Sequence, residues 1–223
     1  LDTEASYLYL TSNNTIFGTR WHQFPDTGEI PLVVDATSEI LSRVMDYSKF
    51  GLLFAGAQKN LGPSGIALVV IREDLLEYAP ETTPKLLHYK VYDEKHSLAN
   101  TNNTFAIYVI NLVLKWLKEQ GGVAEIEKIN EKKAAHLYSC LDQSDFYKGH
   151  AHPDHRSTMN VTFNLPGQEL LDLFLKQATE NGLTALKGHR SVGGARASIY
   201  NAMPMEGVET LVSFMKEFEK KNG

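Results

Sequence analysis

The sequence contains one cysteine, Cys140, among its 223 residues. An intrachain disulfide and the paired-cysteine spacing of zinc ribbons are therefore excluded, and a reducing compartment such as the cytoplasm is expected. Basic residues are spread along the chain and the formal net charge is -5, which is not the footprint of a nucleic-acid-binding protein. No apolar run approaches the roughly 20 residues of a membrane span. We expect neither a nucleic-acid nor a membrane partner.

Hydrophobic residues make up 43% of the chain and charged residues 22%, a composition typical of a globular protein with a full core. The segment Ser38–Ser48 has apolar residues at helical spacing and is predicted to be a helix. Short β-rich runs precede this segment, and nearly continuous apolar runs, typical of strands that are buried on both faces of an α/β sheet, follow it. Strands are predicted at residues 7–11, 31–36, 50–56 and 65–71.

The second half of the chain begins with two predicted helices, Thr104–Gln120 and Val123–Leu141. A polar stretch follows, and then a strand, helix, strand, strand, helix order that is typical of a compact α+β domain. We place the domain boundary near residue 145, so that residues 1–145 and 146–223 form separate units. In the second unit, strands are predicted at 159–165, 183–186 and 196–199, and helices at 167–181 and 206–221.

Lys59 stands directly after the apolar run that ends in Phe54-Ala-Gly-Ala57. An amine at the end of a buried strand is partly desolvated, which lowers its pKa and frees its lone pair for reaction with a carbonyl carbon. The alternative is an ordinary lysine whose charged end reaches water.

Asp35 ends the strand Leu32-Val33-Val34, at the sheet edge where open α/β sheets bind their ligands. Pyridoxal phosphate needs an amine such as that of Lys59 for covalent attachment and an acid that keeps its pyridine nitrogen protonated. The two residues together therefore suggest a pyridoxal-phosphate site. Alternatively, Asp35 is the N-cap of the following helix.

Several segments together resemble the phosphoserine aminotransferases, class-V pyridoxal-phosphate enzymes of fold type I. The resemblance extends over essentially the whole chain, and the GHR to NAMP run is its most specific part. It implies part of a large cofactor-binding domain with a mainly parallel sheet, followed by a small C-terminal α+β domain. The segments are VVDATSEILSR, FGLLFAGAQKNLGPSG, NTNNTFAIY, LKGHRSVGGARASIYNAMPMEGV and LVSFMKEF.

By this resemblance Lys59 binds the cofactor covalently and moves a proton during amino transfer. Asp35 pairs with the pyridine nitrogen, and Gln58 binds the cofactor phosphate. Thr15 donates a hydrogen bond to, or accepts one from, the cofactor. Lys59 and Asp35 are therefore the expected catalytic residues.

The resemblance also implies a homodimer with shared active sites. Asn100 and Thr101 correspond to residues that reach the cofactor phosphate of the neighbouring subunit. Arg196 corresponds to the arginine that binds the substrate α-carboxylate, a role suited to its planar fork of donors. His189 and Arg190 correspond to residues that meet the substrate phosphate from the other subunit. The implied reaction transfers an amino group between glutamate and 3-phosphohydroxypyruvate, in serine biosynthesis.

The sequence departs from the family pattern in two places. Asn102 and Asn103 replace two prolines, which should loosen the loop around them. Family members also carry a further N-terminal portion, and this chain lacks both that portion and an initiator methionine. We therefore expect the remainder to be supplied by another polypeptide, such as a separate N-terminal fragment, or the chain to be a fragment.

Two other interpretations remain open. The chain could belong to another fold-type I enzyme, such as an alanine–glyoxylate aminotransferase or a cysteine desulfurase, although Cys140 lies in a predicted helix. It could be a catalytically silent fragment that only dimerises or needs a partner chain. The segment 150–155 holds three histidines, but it is interpreted as a solvated loop, and no metal site is expected.

Overall fold

The computed structural model describes residues 1–223. Nine strands and five α-helices form, together with four short 3-10 helices. The strands are β1 (Leu8–Thr11), β2 (Asn13–Asn14), β3 (Thr19–Arg20), β4 (Leu32–Asp35), β5 (Leu52–Gly56), β6 (Ala67–Ile71), β7 (Lys148–Gly149), β8 (Asn160–Asn164) and β9 (Ala195–Ser198). The α-helices are α1 (Tyr89–Glu94), α2 (Thr104–Glu119), α3 (Val123–Asp142), α4 (Gln168–Glu180) and α5 (Met205–Asn222), and the 3-10 helices are Tyr47–Lys49, Glu73–Tyr78, Lys85–Leu87 and Pro153–His155.

The first sheet has the strand order β1-β4-β5-β6. β1, β4 and β5 are parallel, and β6 runs antiparallel to β5. Asp35 is in register with Thr11 on one side and Phe54 on the other. The predicted α/β class with a mainly parallel sheet is confirmed. Because parallel strands end at one edge, the residues that follow β1, β4 and β5 meet there.

Eleven buried apolar residues between Leu10 and Leu61 form the first core. Buried and half-buried positions alternate along β4 and β5. The expected burial on both faces is wrong for β6, whose residues Leu68, Val69 and Val70 each keep 36–37% of their surface exposed. β6 is the edge strand, and its extensive contacts are with β5 alone.

The predicted helix Ser38–Ser48 does not form. The chain there makes turns as far as Leu41 and is irregular up to residue 46, and the short 3-10 helix Tyr47–Lys49 overlaps only its last two residues. Leu41 has a φ of 62°, in the left-handed region that a non-glycine residue rarely adopts. The carbonyl groups of Ile40 and Leu41 accept hydrogen bonds from distant side chains. These tertiary contacts override the helical spacing of the apolar residues.

The strand predicted at residues 183–186 is also absent. Only one isolated bridge, between Lys187 and Ala195, forms in that region. Ala185 has a φ of 59°, which interrupts the extended backbone that a strand requires.

The four long predicted helices are confirmed, with ends that differ by at most two residues. Asn103 accepts a hydrogen bond from the N–H of Ala106 and caps α2, so one of the two asparagines that replace family prolines begins this helix. Gly121 and Gly122 have φ values of 94° and 82° and end it. No helix combines the length and apolarity needed to cross a membrane.

The second core surrounds the antiparallel sheet β7-β8-β9 and contains 21 buried residues. The rings of Phe163 and Phe218 both meet Phe174 edge-on, with centroid distances of 5.9 and 5.2 Å. The second half of α3 contributes Leu137 and Leu141 to this core. α3 therefore packs with the C-terminal unit, and the boundary near residue 145 stays a prediction.

Buried polar side chains join the parts of the chain around the two cores, which we call the first and second units. Asn13 Nδ2 donates to Ser38 Oγ at 2.8 Å and to Asn160 Oδ1 at 2.9 Å, and Ser157 Oγ donates to Asn13 Oδ1. We call Asn13, Ser38, Ser157 and Asn160 the Asn13 cluster. All four residues are at most 2% exposed.

Lys133 on α3 is fully buried, and burial lowers its pKa to about 8. Its Nζ donates to the backbone carbonyls of Ile199, Tyr200 and Met203 at 2.8 to 3.1 Å. The ammonium thus satisfies three acceptors in the segment that follows β9, and it fixes this segment against α3.

Replacing Lys133 by Met keeps the length and apolar stem of the side chain but removes every N–H donor. Because the three carbonyls then lose this partner, the free energy of unfolding should fall by about 3 kcal/mol. Denaturant unfolding followed by circular dichroism measures this value. Lys132 is exposed, so Lys132→Met should change it by less than about 0.5 kcal/mol. Equal effects of the two substitutions would contradict the role given to Lys133.

Candidate active site

Lys59 lies three residues beyond the end of β5, in a turn closed by the hydrogen bond from Gly62 N–H to Ala57 O. Much of its side chain is exposed, but its Nζ donates to Thr15 Oγ1 at 2.8 Å. Partial desolvation lowers the pKa of Lys59. The nearby carboxylate of Asp35 opposes this shift, and the positive charge of Arg196 adds to it.

Asp35 is the last residue of β4. Its Oδ1 accepts a hydrogen bond from the N–H of Thr37 at 2.8 Å, while Oδ2 accepts none from the protein. The carboxylate thus caps a turn. The alternative interpretation of Asp35 as a helix N-cap holds only in part, because no helix follows. One oxygen of Asp35 stays available to a donor on a ligand.

Lys59, Asp35 and Thr15 line one cleft of about 190 Å³. An amine with a lowered pKa and a carboxylate with a free oxygen suit a ligand that combines an aldehyde with a ring N–H. Pyridoxal phosphate has this combination, so the residues present fit the cofactor. The remaining lining residues are Thr11, Asn13, Asn14, Ile16, Thr37 and Ser38.

Arg196 lies in β9, opposite Thr162 of β8. Its backbone N–H donates to Leu186 O at 2.7 Å, but its side-chain Nε is buried without a hydrogen-bond partner. The guanidinium is close enough to Lys59 to lower the pKa of the amine. A planar fork of free donors at this place is suited to a carboxylate.

Gln58, His189 and Arg190 do not line the cleft of Lys59. The side chain of Gln58 lies against Gly56. His189 Nδ1 forms a hydrogen bond with Ser191 Oγ at 2.7 Å, in a loop closed by the hydrogen bond from Gly188 N–H to Gly194 O. Arg190 is exposed. The roles expected for these three residues stay predictions.

Asn100 and Thr101 lie in the exposed segment between α1 and α2. The Nδ2 of Asn100 donates to the carbonyl of Thr101 at 3.2 Å. Neither residue lines the cleft of Lys59. Their predicted role in a neighbouring subunit stays a prediction.

The sequence interpretation missed Thr37 as a residue of the cleft. Its N–H donates to Asp35, and its Oγ1 accepts a hydrogen bond from the N–H of Gly56 at 3.1 Å. Thr37 therefore joins the ends of β4 and β5. The polar residues Asp35, Thr37 and Ser38 at the end of a buried strand were the available signal.

A larger open cavity of about 860 Å³ lies beside β1 and is lined in part by Arg20, Trp21, His22 and His155. Lys59 and Asp35 do not line this cavity. No group of three or more His, Cys, Asp or Glu side chains is close enough to hold a metal ion. Cys140 is buried in α3, and burial raises the pKa of its thiol.

The sequence matches known proteins over nearly its whole length. A phosphoserine aminotransferase from Syntrophobacter fumaroxidans is 58% identical over 221 residues, which are 99% of this chain and 61% of that protein. The solved phosphoserine aminotransferase from Bacillus circulans subsp. alkalophilus has a TM-score of 0.98 and 50% identity, over 100% of this chain and 62% of that one. The pyridoxal-phosphate-bound structure of the Trichomonas vaginalis phosphoserine aminotransferase has a TM-score of 0.92 and 39% identity, over 97% of this chain and 61% of that one.

The chain therefore spans about 61% of the length of the curated relatives it matches. The sequence model of the family described as aminotransferase class-V matches residues 1–211, which include Thr15, Asp35, Lys59 and Arg196. This chain belongs to the class-V aminotransferase family.

Proposed function

We propose that this chain carries the lysine-bearing half of a phosphoserine aminotransferase site. The reaction transfers an amino group between glutamate and 3-phosphohydroxypyruvate and gives phosphoserine and 2-oxoglutarate. The observation that carries the proposal is that Lys59, Asp35 and Thr15 meet in one cleft, with the charge of Arg196 close to Lys59. Similarity to phosphoserine aminotransferases of up to 58% identity supports the choice of substrates.

Pyridoxal phosphate, when bound, supplies an aldehyde carbon for amine exchange and a ring that accepts electron density. Asp35 Oδ2 would accept a hydrogen bond from the ring N–H. Lys59 Nζ would hold the cofactor covalently, and its amine would carry the proton that leaves the substrate Cα. The lowered pKa of Lys59 increases the fraction of neutral amine that can accept this proton. Thr15 holds the amine by its hydrogen bond.

Substrate binding is assigned to three residues of the C-terminal unit. The guanidinium of Arg196 binds the α-carboxylate through two parallel hydrogen bonds. His189 and Arg190 bind the phosphate of the substrate held by a second subunit. The exposed loop that carries both residues supports a contact outside this chain.

The proposal includes a cytoplasmic homodimer with shared sites. Asn100 and Thr101 reach the cofactor phosphate of the other subunit, and Gln58 binds the cofactor phosphate of its own subunit. Exposed apolar side chains on α2 support such a contact, because Phe105 is 71% exposed and Tyr108 58%. The lone cysteine agrees with a reducing compartment. Activity further requires the part of the relatives' length that this chain does not span, from the same or a separate polypeptide.

The first test maps the lysine that binds the cofactor. After pyridoxal phosphate is added to this chain together with the part of the relatives' length that it does not span, borohydride reduction and peptide mass spectrometry should place the adduct on Lys59. Lys59→Ala should abolish this adduct and lower amino transfer by about 10²- to 10⁴-fold, because the amine that moves the proton is lost. The exposed Lys49 is the control, since Lys49→Ala should retain both. An adduct on a different lysine would refute the assignment. The intact mass of every polypeptide in the sample shows whether a second polypeptide is present.

A second test separates the two predicted anion sites by replacing each arginine with lysine. Arg196→Lys keeps the charge but loses the planar fork, so KM for glutamate and for the phosphorylated keto acid should each rise at least about tenfold. Arg190→Lys should raise KM only for the phosphorylated keto acid. Steady-state kinetics with phosphorylated and unphosphorylated keto acids measure both effects. The proposal fails if Arg190→Lys affects the two acceptors equally.

A further inference from the structure

Asn60 follows Lys59 directly and is only 7% exposed. Its Nδ2 donates to the carbonyl of Ile40 at 2.6 Å. Its Oδ1 accepts a hydrogen bond from the backbone N–H of Asn201 at 3.1 Å. Both polar atoms of the Asn60 amide are therefore hydrogen-bonded, Nδ2 to the first unit of the chain and Oδ1 to the second.

Two more buried asparagines continue these contacts. Asn201 Nδ2 donates to the carbonyl of Leu41, and Asn201 Oδ1 accepts a hydrogen bond from Asn130 Nδ2, both at 2.8 Å. Asn130 Nδ2 also donates to the carbonyl of Ser42 at 3.0 Å. We call Asn60, Asn130 and Asn201 the asparagine network.

The asparagine network joins the three segments that carry the chemistry of the site. The turn Ile40–Ser42 follows Asp35, Asn60 is bonded to Lys59 along the chain, and Asn201 lies five residues after Arg196. Leu41 keeps its left-handed backbone, with φ of 62°, while its carbonyl is held by Asn201. Asn130 Oδ1 is buried without a partner, whereas the side-chain amides of Asn60 and Asn201 are hydrogen-bonded at both ends. Because an unpaired buried amide is costly, few other arrangements of these segments satisfy Asn60 and Asn201 equally well.

We propose that Asn60 is a positioning residue, which fixes the Lys59 amine relative to the Arg196 guanidinium through its hydrogen bond to Asn201. This inference rests on the proposed function. Asn60 does not line the cleft and is not expected to touch the substrate. Amino transfer needs the α-carboxylate on Arg196 while the substrate Cα lies beside Lys59, so a change in this separation lowers the rate of proton transfer.

The fold does not depend on Asn60 alone, because the Asn13 cluster also joins the two units and Lys133 separately holds the segment after β9 against α3. Loss of Asn60 should therefore shift the turn that carries Lys59 without unfolding the protein. The charged groups that act on the Lys59 amine are Asp35 and Arg196. A shifted turn changes both charge separations and the burial of the amine.

The test compares Asn60→Ala with Tyr147→Phe in the cofactor-loaded enzyme. Tyr147 OH donates to Met215 O at 2.9 Å in the second core, so its loss removes one buried hydrogen bond far from Lys59. In Asn60→Ala, kcat should fall about 10- to 100-fold. The acidic limb of the kcat–pH profile should move to higher pH, because a less buried amine is protonated more readily. Tyr147→Phe should leave both kcat and this limb unchanged.

Asn60→Ser is the second variant, in case Asn60→Ala does not fold. The serine side chain is polar but too short to reach both partners of Asn60. This variant should show the same two changes to a smaller extent. The inference is wrong if the two Asn60 variants lose stability, as Tyr147→Phe does, but keep the kcat and the kcat–pH profile of the unsubstituted enzyme. Asn60 would then stabilise the fold without positioning Lys59. If the unsubstituted enzyme does not transfer an amino group to the phosphorylated keto acid, the proposed function fails instead.

Discussion

The hydrogen bonds of buried Asn13 are the constraint on which the arrangement of the two units depends. Its amide donates to Ser38 in the first unit and to Asn160 in the second, and it accepts from Ser157. Burying these groups without partners would be unfavourable by about 1–3 kcal/mol each, so the units can dock in few relative positions. Thr15 follows Asn13 by two residues and holds Lys59. The docking of the units therefore also sets where the cleft residues lie.

The parts of the fold that sequence could predict are those governed by local physics. Apolar residues at a 3.6-residue spacing identified α2 and its neighbouring long helices, because an amphipathic helix buries one face wherever it packs. Lys59 and Asp35 could be expected to meet, because parallel strands end at a common sheet edge. The roles of Gln58 and Asn100 came from family resemblance alone, and no contact with the cleft within this chain tests them.

The parts that sequence could not predict depend on partners far away along the chain. The segment Ser38–Ser48 has a helical pattern, but the side chains of Asn60 and Asn201 bind its carbonyls and hold it in turns. Asn60 and Asn201 are separated by 141 positions, and an asparagine in sequence gives no sign of which backbone group it will bind. The exposure of the apolar residues of β6 could not be predicted either, because a continuous apolar run does not show whether other elements cover one face of the strand or both.

The position of Arg196 has an electrostatic consequence besides the substrate-binding role proposed for it. Burial lowers the pKa of Lys59, the carboxylate of Asp35 in the first unit opposes this shift, and the positive charge of Arg196 adds to it. Because the two charges belong to different units, the balance between them depends on how the units dock. Coulomb energy changes with distance, most steeply where water is partly excluded. Under the proposed function, the contacts made by Asn60 and the Asn13 cluster thus set both the separation of Lys59 from Arg196 and the protonation of the Lys59 amine.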